Sequence, residues 1–171
     1  LRWDVNLFFN RINDLIDVQL DEELSDEMGL QVFQYVNVRR ATTMGAERAA
    51  SYNFFRYFVI NGGYAYLWAK DTDLDKWLTG RPKHQVKGGV DIVNVLPGNM
   101  INLRGVYQSS EYVDQENTIT SPGWSEFDAK VNQDVSECCT VFLGVDNIFD
   151  VHRNPNNVND FRPSIGRYIY I

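Results

Sequence analysis

The sequence predicts an all-β fold, eight antiparallel strands of a membrane-spanning β-barrel. Three observations predict it. Stretches of about ten residues alternate apolar and polar side chains, the period of a strand with one greasy and one wet face. The connections between them run alternately long and short, the topology of barrels with outer loops and tight inner turns. Aromatic residues reach 13% while the hydrophobic total is an ordinary 44%, the balance of lipid-facing strands around a wet lumen.

The first strand covers 3–20. Trp3, Val5, Leu7 and Phe9 oppose Asp4, Asn6 and Asn10; the apolar phase then slips to Ile12, Ile16, Val18 and Leu20, predicting a bulge within 10–13. The second, 31–53, is less regular and carries Arg48 on its apolar side, where a long stem lets the charge snorkel to an interface. In the third, 56–70, Phe58, Ile60, Gly62, Tyr64, Tyr66 and Trp68 share a face opposite Val59, Asn61, Gly63, Ala65 and Leu67. The fourth and fifth, 83–96 and 99–111, repeat the pattern, with Ile101, Leu103 and Tyr107 opposing Asn102, Arg104 and Gln108. The sixth, 124–135, is cleanest: Phe127, Ala129, Val131 and Val135 oppose Glu126, Asp128, Lys130, Asn132 and Asp134, a set that must face water. The last two are 139–149 and 166–171.

The long connections are 21–30, 71–82, 112–123 and 150–165; the short ones fall at 53–56, 97–98 and 136–138. This phase puts both chain ends on the short-turn, periplasmic side. The long connections are acidic or rich in turn formers, and each residue in them reads first as solvated loop. Asn147 and Asp150 bracket Ile148 and Phe149 where a strand yields to a loop, a place for side-chain-to-backbone turns.

Several function classes fall away. A net charge of −7 offers no basic surface for phosphates, so no nucleic-acid partner is expected. No run of 18 apolar residues provides a transmembrane helix. The start at Leu1-Arg2-Trp3-Asp4 shows no signal peptide, as if processing or a cut preceded it. Cys138 and Cys139 have no metal-ligand spacing and read as a passive pair at a strand start. Asp71, Asp73 and Asp75 have the spacing of a calcium loop's first ligands, but Lys76 and Pro82 stand where an EF-hand needs Gly and Glu; a looser calcium site among the loop acids stays open. His84 and His152 lack a nucleophile at a suggestive spacing, and the glycine pairs 62–63 and 88–89 lie inside strands, so neither catalysis nor a phosphate loop is expected. No cofactor is implied.

Six segments in order resemble a known family: LFFNRINDLIDV (7–18), YVNVRRATTMGAERAASY (35–52), GGYAYLWAKDTD (62–73), RPKHQVKGGVDI (81–92), FLGVDNIFDVH (142–152) and GRYIYI (166–171). They are similar to the C-terminal barrel strands of TonB-dependent outer-membrane receptors, with Asn37, Ala41, Gly45 and Glu47 at the family's Asn, small-residue and Gly-x-Glu positions. The resemblance implies the last third of a 22-stranded barrel in the bacterial outer membrane, without the N-terminal plug or the segment that contacts TonB. It implies energy-dependent uptake of a scarce nutrient such as an iron chelate (a siderophore), haem or cobalamin. It also implies partners: outer-membrane lipid, the remaining barrel and plug or another chain that completes the sheet, the TonB system through the plug, and the barrel-assembly machinery. Family members run several residues past this end to a terminal aromatic, so a fragment, a split subunit or an incompletely represented chain is expected.

The candidate site residues follow. Asn61, Gln85, Lys87, Asp91, Arg104, Gln108, Glu126, Asp128, Lys130 and Asp134 are expected to line the lumen. Tyr64, Tyr66, Trp68 and Trp124 are expected in an aromatic girdle at the outer interface. Gly166, Tyr168, Ile169, Tyr170 and Ile171, preceded by Ser164, loosely fit an assembly signal, though any final barrel strand shares that pattern. Two other architectures stay open on the residues alone: a small self-closed eight-stranded barrel with a structural or adhesive role, and a soluble binding barrel with its apolar face inward, which the loop-length alternation and aromatic-rich face disfavour. A barrel fragment acting as a substrate of the assembly machinery is a further possibility.

Overall fold

The computed structural model describes residues 1–163 and 165–171, the side chains of Val38 and Arg39 excepted. Ser164 of the C-terminal pattern lies outside the described residues. In chain order the elements are β1 (Arg2–Asp21), α1 (Glu22–Met28), β2 (Val32–Phe54), β3 (Phe58–Asp71), β4 (Lys76–Trp77), β5 (His84–Val93), β6 (Asn99–Gln108), β7 (Glu111–Tyr112), β8 (Thr120–Ser121), β9 (Trp124–Ser136), β10 (Cys139–Asp146) and β11 (Tyr168–Tyr170).

One antiparallel sheet runs β1-β2-β3-β5-β6-β9-β10-β11, with β4 added at the end of β3. All eight long segments of alternating sequence are strands, and neighbours in sequence are neighbours in the sheet. The sheet is open: β1 and β11 are its edges and do not pair with each other. A separate two-stranded hairpin, β7-β8, stands in the third long connection. No helix among the described residues is long and apolar enough to cross a membrane, which says nothing of strands.

Turn chemistry sets the strand ends. Asn94 and Gly98 take left-handed backbone (φ 54° and 74°) between β5 and β6, where Asn and Gly are the residues that tolerate it. Asn94 thereby ends β5 at Val93, short of the expected 96. Asn147 (φ 53°) likewise stops β10 at Asp146 rather than 149. β6 stops at Gln108, and β11 is only three residues long.

The expected bulge at 10–13 is absent. β1 pairs Asn13 with Arg40 and Leu15 with Val38, so both strands advance by two residues and neither gains one. The phase slips at Asp14, whose φ is 54°. Ile12 therefore stays on the face of Phe8, opposite Ala41, rather than joining Ile16 and Val18 on the apolar side. A left-handed residue rotates the strand by half a period without spoiling the ladder, and an Asp is among the side chains that accept it.

Burial is inverted relative to a soluble domain. Large apolar side chains such as Leu7 (74% exposed), Ile16 (67%), Val141 (50%) and Leu143 (50%) stand uncovered on one face of the sheet. Among the described residues the buried hydrophobics are only Ala41, Ala69, Leu78 and Val113. Three of them cluster where the connection after β3 folds back over the other face, packed by Ile12, Leu15, Val36 and Leu67. The core therefore sits at the loop end of the sheet. An apolar face this large is stable only against lipid or another apolar surface.

Candidate functional site

Register decides which side chains share the polar face. β3 pairs Asn61 with Gly89, Gly63 with Lys87 and Ala65 with Gln85; β5 pairs Asp91 with Asn102 and Gly89 with Arg104. β9 brings Asp128 opposite Arg104, Lys130 opposite Asn102 and Glu126 opposite Val106, while Gln108 faces Trp124. Asp134 continues the row against Thr140 of β10. All ten candidates from Asn61 to Asp134 thus fall on one side of the sheet, across the four neighbouring strands β3, β5, β6 and β9.

Some of their polar atoms are linked to each other or to neighbours on the same face. Arg104 Nη2 lies 2.6 Å from Asp91 Oδ1, and Asn102 Nδ2 donates to that oxygen at 2.7 Å. Asn132 Nδ2 donates to Asn102 Oδ1 at 3.3 Å. Lys130 Nζ sits 4.6 Å from the Phe142 ring centroid, and Asp134 accepts from Thr140 Oγ1 at 2.6 Å. Farther along, Asn6 donates to Glu47 at 3.3 Å and Asn10 to Thr43 at 3.3 Å. Asn6, Glu47, Asn102 and Asn132 belong to this face and are not among the lumen candidates, although the alternation puts Asn6, Asn102 and Asn132 on wet faces. Gly89 keeps a passage for Arg104: a Cβ there would lie 2.8 Å from Nη1.

Three glycines lie beneath aromatic rings. Phe8 crosses Gly45, Tyr170 crosses Gly144 and Phe127 crosses Gly105, each so closely that a Cβ would collide. The ring covers backbone that a glycine leaves bare and helps the strand bend.

On the opposite face, Tyr64, Tyr66 and Trp68 follow one another along β3, paired with Arg48, Ala46 and Met44 of β2. Trp124 departs from them. Register puts it across from Gln108, on the side of Glu126, so it does not share the face of the other three; its aromatic character outweighed its phase in the sequence reading. The structure adds His84, whose Nδ1 is 2.8 Å from the Tyr64 hydroxyl, and Trp77, edge-on to Trp68 with centroids 5.9 Å apart. Lys83 Nζ lies 3.6 Å from the Trp77 centroid. Trp77 sits in a long connection, where strand periodicity gave no signal.

The long connections form an interlocked layer, contrary to their reading as solvated loop. Most of the buried polar residues lie within them or at their boundaries: Asp71, Thr79, Asp114, Ser121, Asn147 and Asp160. Asp114 accepts from the Thr118 and Ile119 amides at 2.9 and 2.7 Å. Asn117 Oδ1 accepts from the Trp77 amide at 2.6 Å, tying the third connection to the second. Ser121 Oγ accepts from the Phe161 amide at 2.9 Å, tying it to the fourth. Asp160 is fully buried and accepts from the Asn154 amide at 2.8 Å and from Arg162 Nε at 2.8 Å. Its hydrogen bond from Arg162 holds this carboxyl well below the usual range. The first connection is α1, capped by Asp21, whose carboxylate accepts from the Leu24 amide, and closed by Gly29 at φ 67°. Residues 21–30 read as a long acidic loop; Asp21, Glu22, Glu23 and Gly29 carry the start and stop signal that would have marked the helix.

The three acids with calcium-loop spacing do not converge. Asp71 Oδ1 accepts from the Asp73 and Leu74 amides at 2.7 and 3.0 Å, Asp73 accepts from Arg40 Nε at 2.8 Å, and Asp75 meets Lys70 at 2.5 Å. Cys138 lies in the β9-β10 turn and Cys139 opens β10; both are exposed free thiols. At the C-terminus Tyr168 and Tyr170 pair with Asp146 and Gly144 on the polar side, and Ile169 pairs with Val145 on the apolar side. Gly166 packs against Asp150, which accepts from the Arg167 amide at 2.8 Å, and Ile171 is exposed.

A family model described as TonB dependent receptor-like, beta-barrel, matches residues 1–148. The chain belongs to the TonB-dependent receptor β-barrel family. Solved structures of such receptors share its fold. The copper transporter OprC superposes with a TM-score of 0.74 at 19% identity, over 96% of this chain and 27% of that one. The siderophore receptor PiuA from Acinetobacter baumannii gives 0.71 at 20% identity, over 96% and 24%. The ferric citrate transporter FecA in the unliganded form gives 0.63 at 24% identity, over 76% and 23%. This chain thus spans about a quarter of the length of these proteins. A search of curated proteins finds no match. The two-faced sheet and the interlocked loop layer are the TonB-dependent receptor wall built from this sequence.

Proposed function

We propose that this chain is part of the barrel wall of a bacterial outer-membrane receptor for energy-dependent uptake of a scarce nutrient, of the iron-chelate, haem or cobalamin type. One observation carries the reading: an open antiparallel sheet with a polar face opposite an uncovered apolar face. An open sheet with a lipid-facing side leaves unpaired backbone groups at both edges, which hydrocarbon does not satisfy. Further strands must therefore close it. The polar residues from Asn61 to Asp134 then line a wet lumen, against which the plug of the whole receptor rests and through which TonB acts. Tyr64, Tyr66 and Trp68 sit at the lipid interface, the short turns face the periplasm, and the loop layer faces outward to meet substrate. Pairing at the β11 edge is where the barrel-assembly machinery would engage Tyr168 to Ile171.

The related structures are those of a copper transporter, a siderophore receptor and a ferric citrate transporter, which motivates iron chelates and copper as first substrates to test. A deletion strain is grown under metal limitation with a panel of ferric siderophores, haem, cobalamin and copper, with and without a protonophore. The reading expects one supplement to lose its protonophore-sensitive uptake in the deletion strain. Unchanged uptake of every supplement would overturn it.

A further inference from the structure

Arg48 stands on the apolar face. Register places it between Val5 of β1 and Tyr64 of β3, and it is exposed. No carboxylate pairs with it among the described residues; the nearby acids are engaged elsewhere or face the other way, Glu47 with Asn6 on the polar side. A charge in lipid without a counter-ion is costly, and such a residue commonly marks an interaction. Beside it the surface dips into a groove of about 500 Å³ lined by Trp3, Arg48, Ala50, Gly62, Tyr64 and Gly88. Ala50, Gly62 and Gly88 are consecutive cross-strand partners, so the floor runs across β2, β3 and β5.

We propose that Arg48 and this groove bind a phospholipid of the periplasmic leaflet, the guanidinium holding its phosphate and one acyl chain lying over Ala50 and Gly62. Three features select this occupant. The groove is apolar and bordered on its short-turn side by Trp3, an amphipathic ring that favours the boundary between hydrocarbon and headgroups. Asp4 and Lys87 also border the groove but belong by register to the polar face, so on the apolar face the charge among the described lining residues is Arg48, a cation whose planar fork matches phosphate. Arg48 precedes the β2-β3 turn by about six residues, on the order of 15 Å along the membrane normal for a tilted strand. It therefore reaches the periplasmic headgroups by extending its stem toward Trp3. This placement rests on the outer-membrane reading above but not on the transported substrate; a lost transport phenotype with an intact lipid adduct would leave it standing.

The intact receptor, extracted in mild detergent, is compared with R48L, R48K and G62F by native mass spectrometry, with phosphatidylglycerol and lipid A as separate probes. Heat-modifiable mobility checks folding. Arg48→Leu removes a membrane-facing charge, and Gly62 has room, since a Cβ there would meet its nearest neighbour, the Lys87 carbonyl, at 3.7 Å. The expected result is at least a tenfold loss of the phosphatidylglycerol adduct in R48L and G62F, with R48K intermediate. Equal adducts in wild type and R48L, an adduct restricted to lipid A, or a protein cross-linked at this face instead of lipid would each overturn the proposal. If R48L does not fold, G62F with Arg48 intact still decides: an undiminished adduct rejects the groove.

Discussion

Replacing Asn147 should loosen the entire fourth connection. This buried side chain closes the end of β10 with three hydrogen bonds: Nδ2 donates to the Val151 carbonyl at 2.6 Å and to the Ile165 carbonyl at 3.2 Å, and Oδ1 accepts from the Val151 amide at 2.8 Å. At about 1 kcal/mol each, their loss amounts to about 3 kcal/mol. The backbone is left-handed, which adds about 1 kcal/mol for a residue bearing a Cβ. Asn147→Gly, which keeps the backbone freedom, should therefore cost about 3 kcal/mol, and Asn147→Ala about 4 kcal/mol. Urea unfolding of the intact receptor in lipid vesicles reads these differences, and hydrogen exchange at the Val151 amide localises them. A cost below about 0.5 kcal/mol for Asn147→Ala, with Val151 still protected, would refute the hub role.

Other expectations concern separate parts of the wall. Asp160 has a depressed carboxyl, so its stabilisation is complete above its ordinary value and fades as pH falls below about 4. Between pH 7 and pH 3 the thermal midpoint of the wild type should drop further than that of Asp160→Asn; parallel drops would remove the assignment. Gly45→Val should destabilise by about 1–3 kcal/mol or more through collision with the Tyr66 carbonyl and the Phe8 ring, and Phe8→Ala in the same chain should recover only the part owed to the ring in a double-mutant cycle. Leu103→Lys on the apolar face should cost up to about 2–4 kcal/mol, whereas Asn102→Lys beside Asp91 should cost much less; equal costs would contradict the assignment of faces.

The strands were legible because a half-wet sheet writes its period directly into the chain. Glu126 to Val135 could be sorted residue by residue, and register confirms that sorting. Asp14 was not legible, because a left-handed residue that flips the faces while preserving the ladder looks, in sequence, like an inserted one. Trp124 misled because residue type and phase disagreed, and phase prevailed. The loop layer was hidden for a different reason. Asp114, Asn117 and Asp160 read as solvated turn formers, yet each accepts from backbone amides, and Asn117 from that of Trp77, 40 residues away in another connection. Such contacts depend on how the outer loops meet, which no local pattern encodes. Arg48 was visible as an anomaly, and only the groove beside it gave the anomaly a use.

The central claim is that one face of this sheet meets water and the other lipid. Spin labels placed singly from Trp124 to Ser136 in the intact receptor test it by power saturation with a water-soluble nickel chelate and with oxygen. The account predicts a period of two, with nickel access highest at Glu126, Asp128, Lys130 and Asn132 and oxygen access highest at Phe127, Ala129 and Val131. The reverse phase, or no alternation along β9, would contradict it.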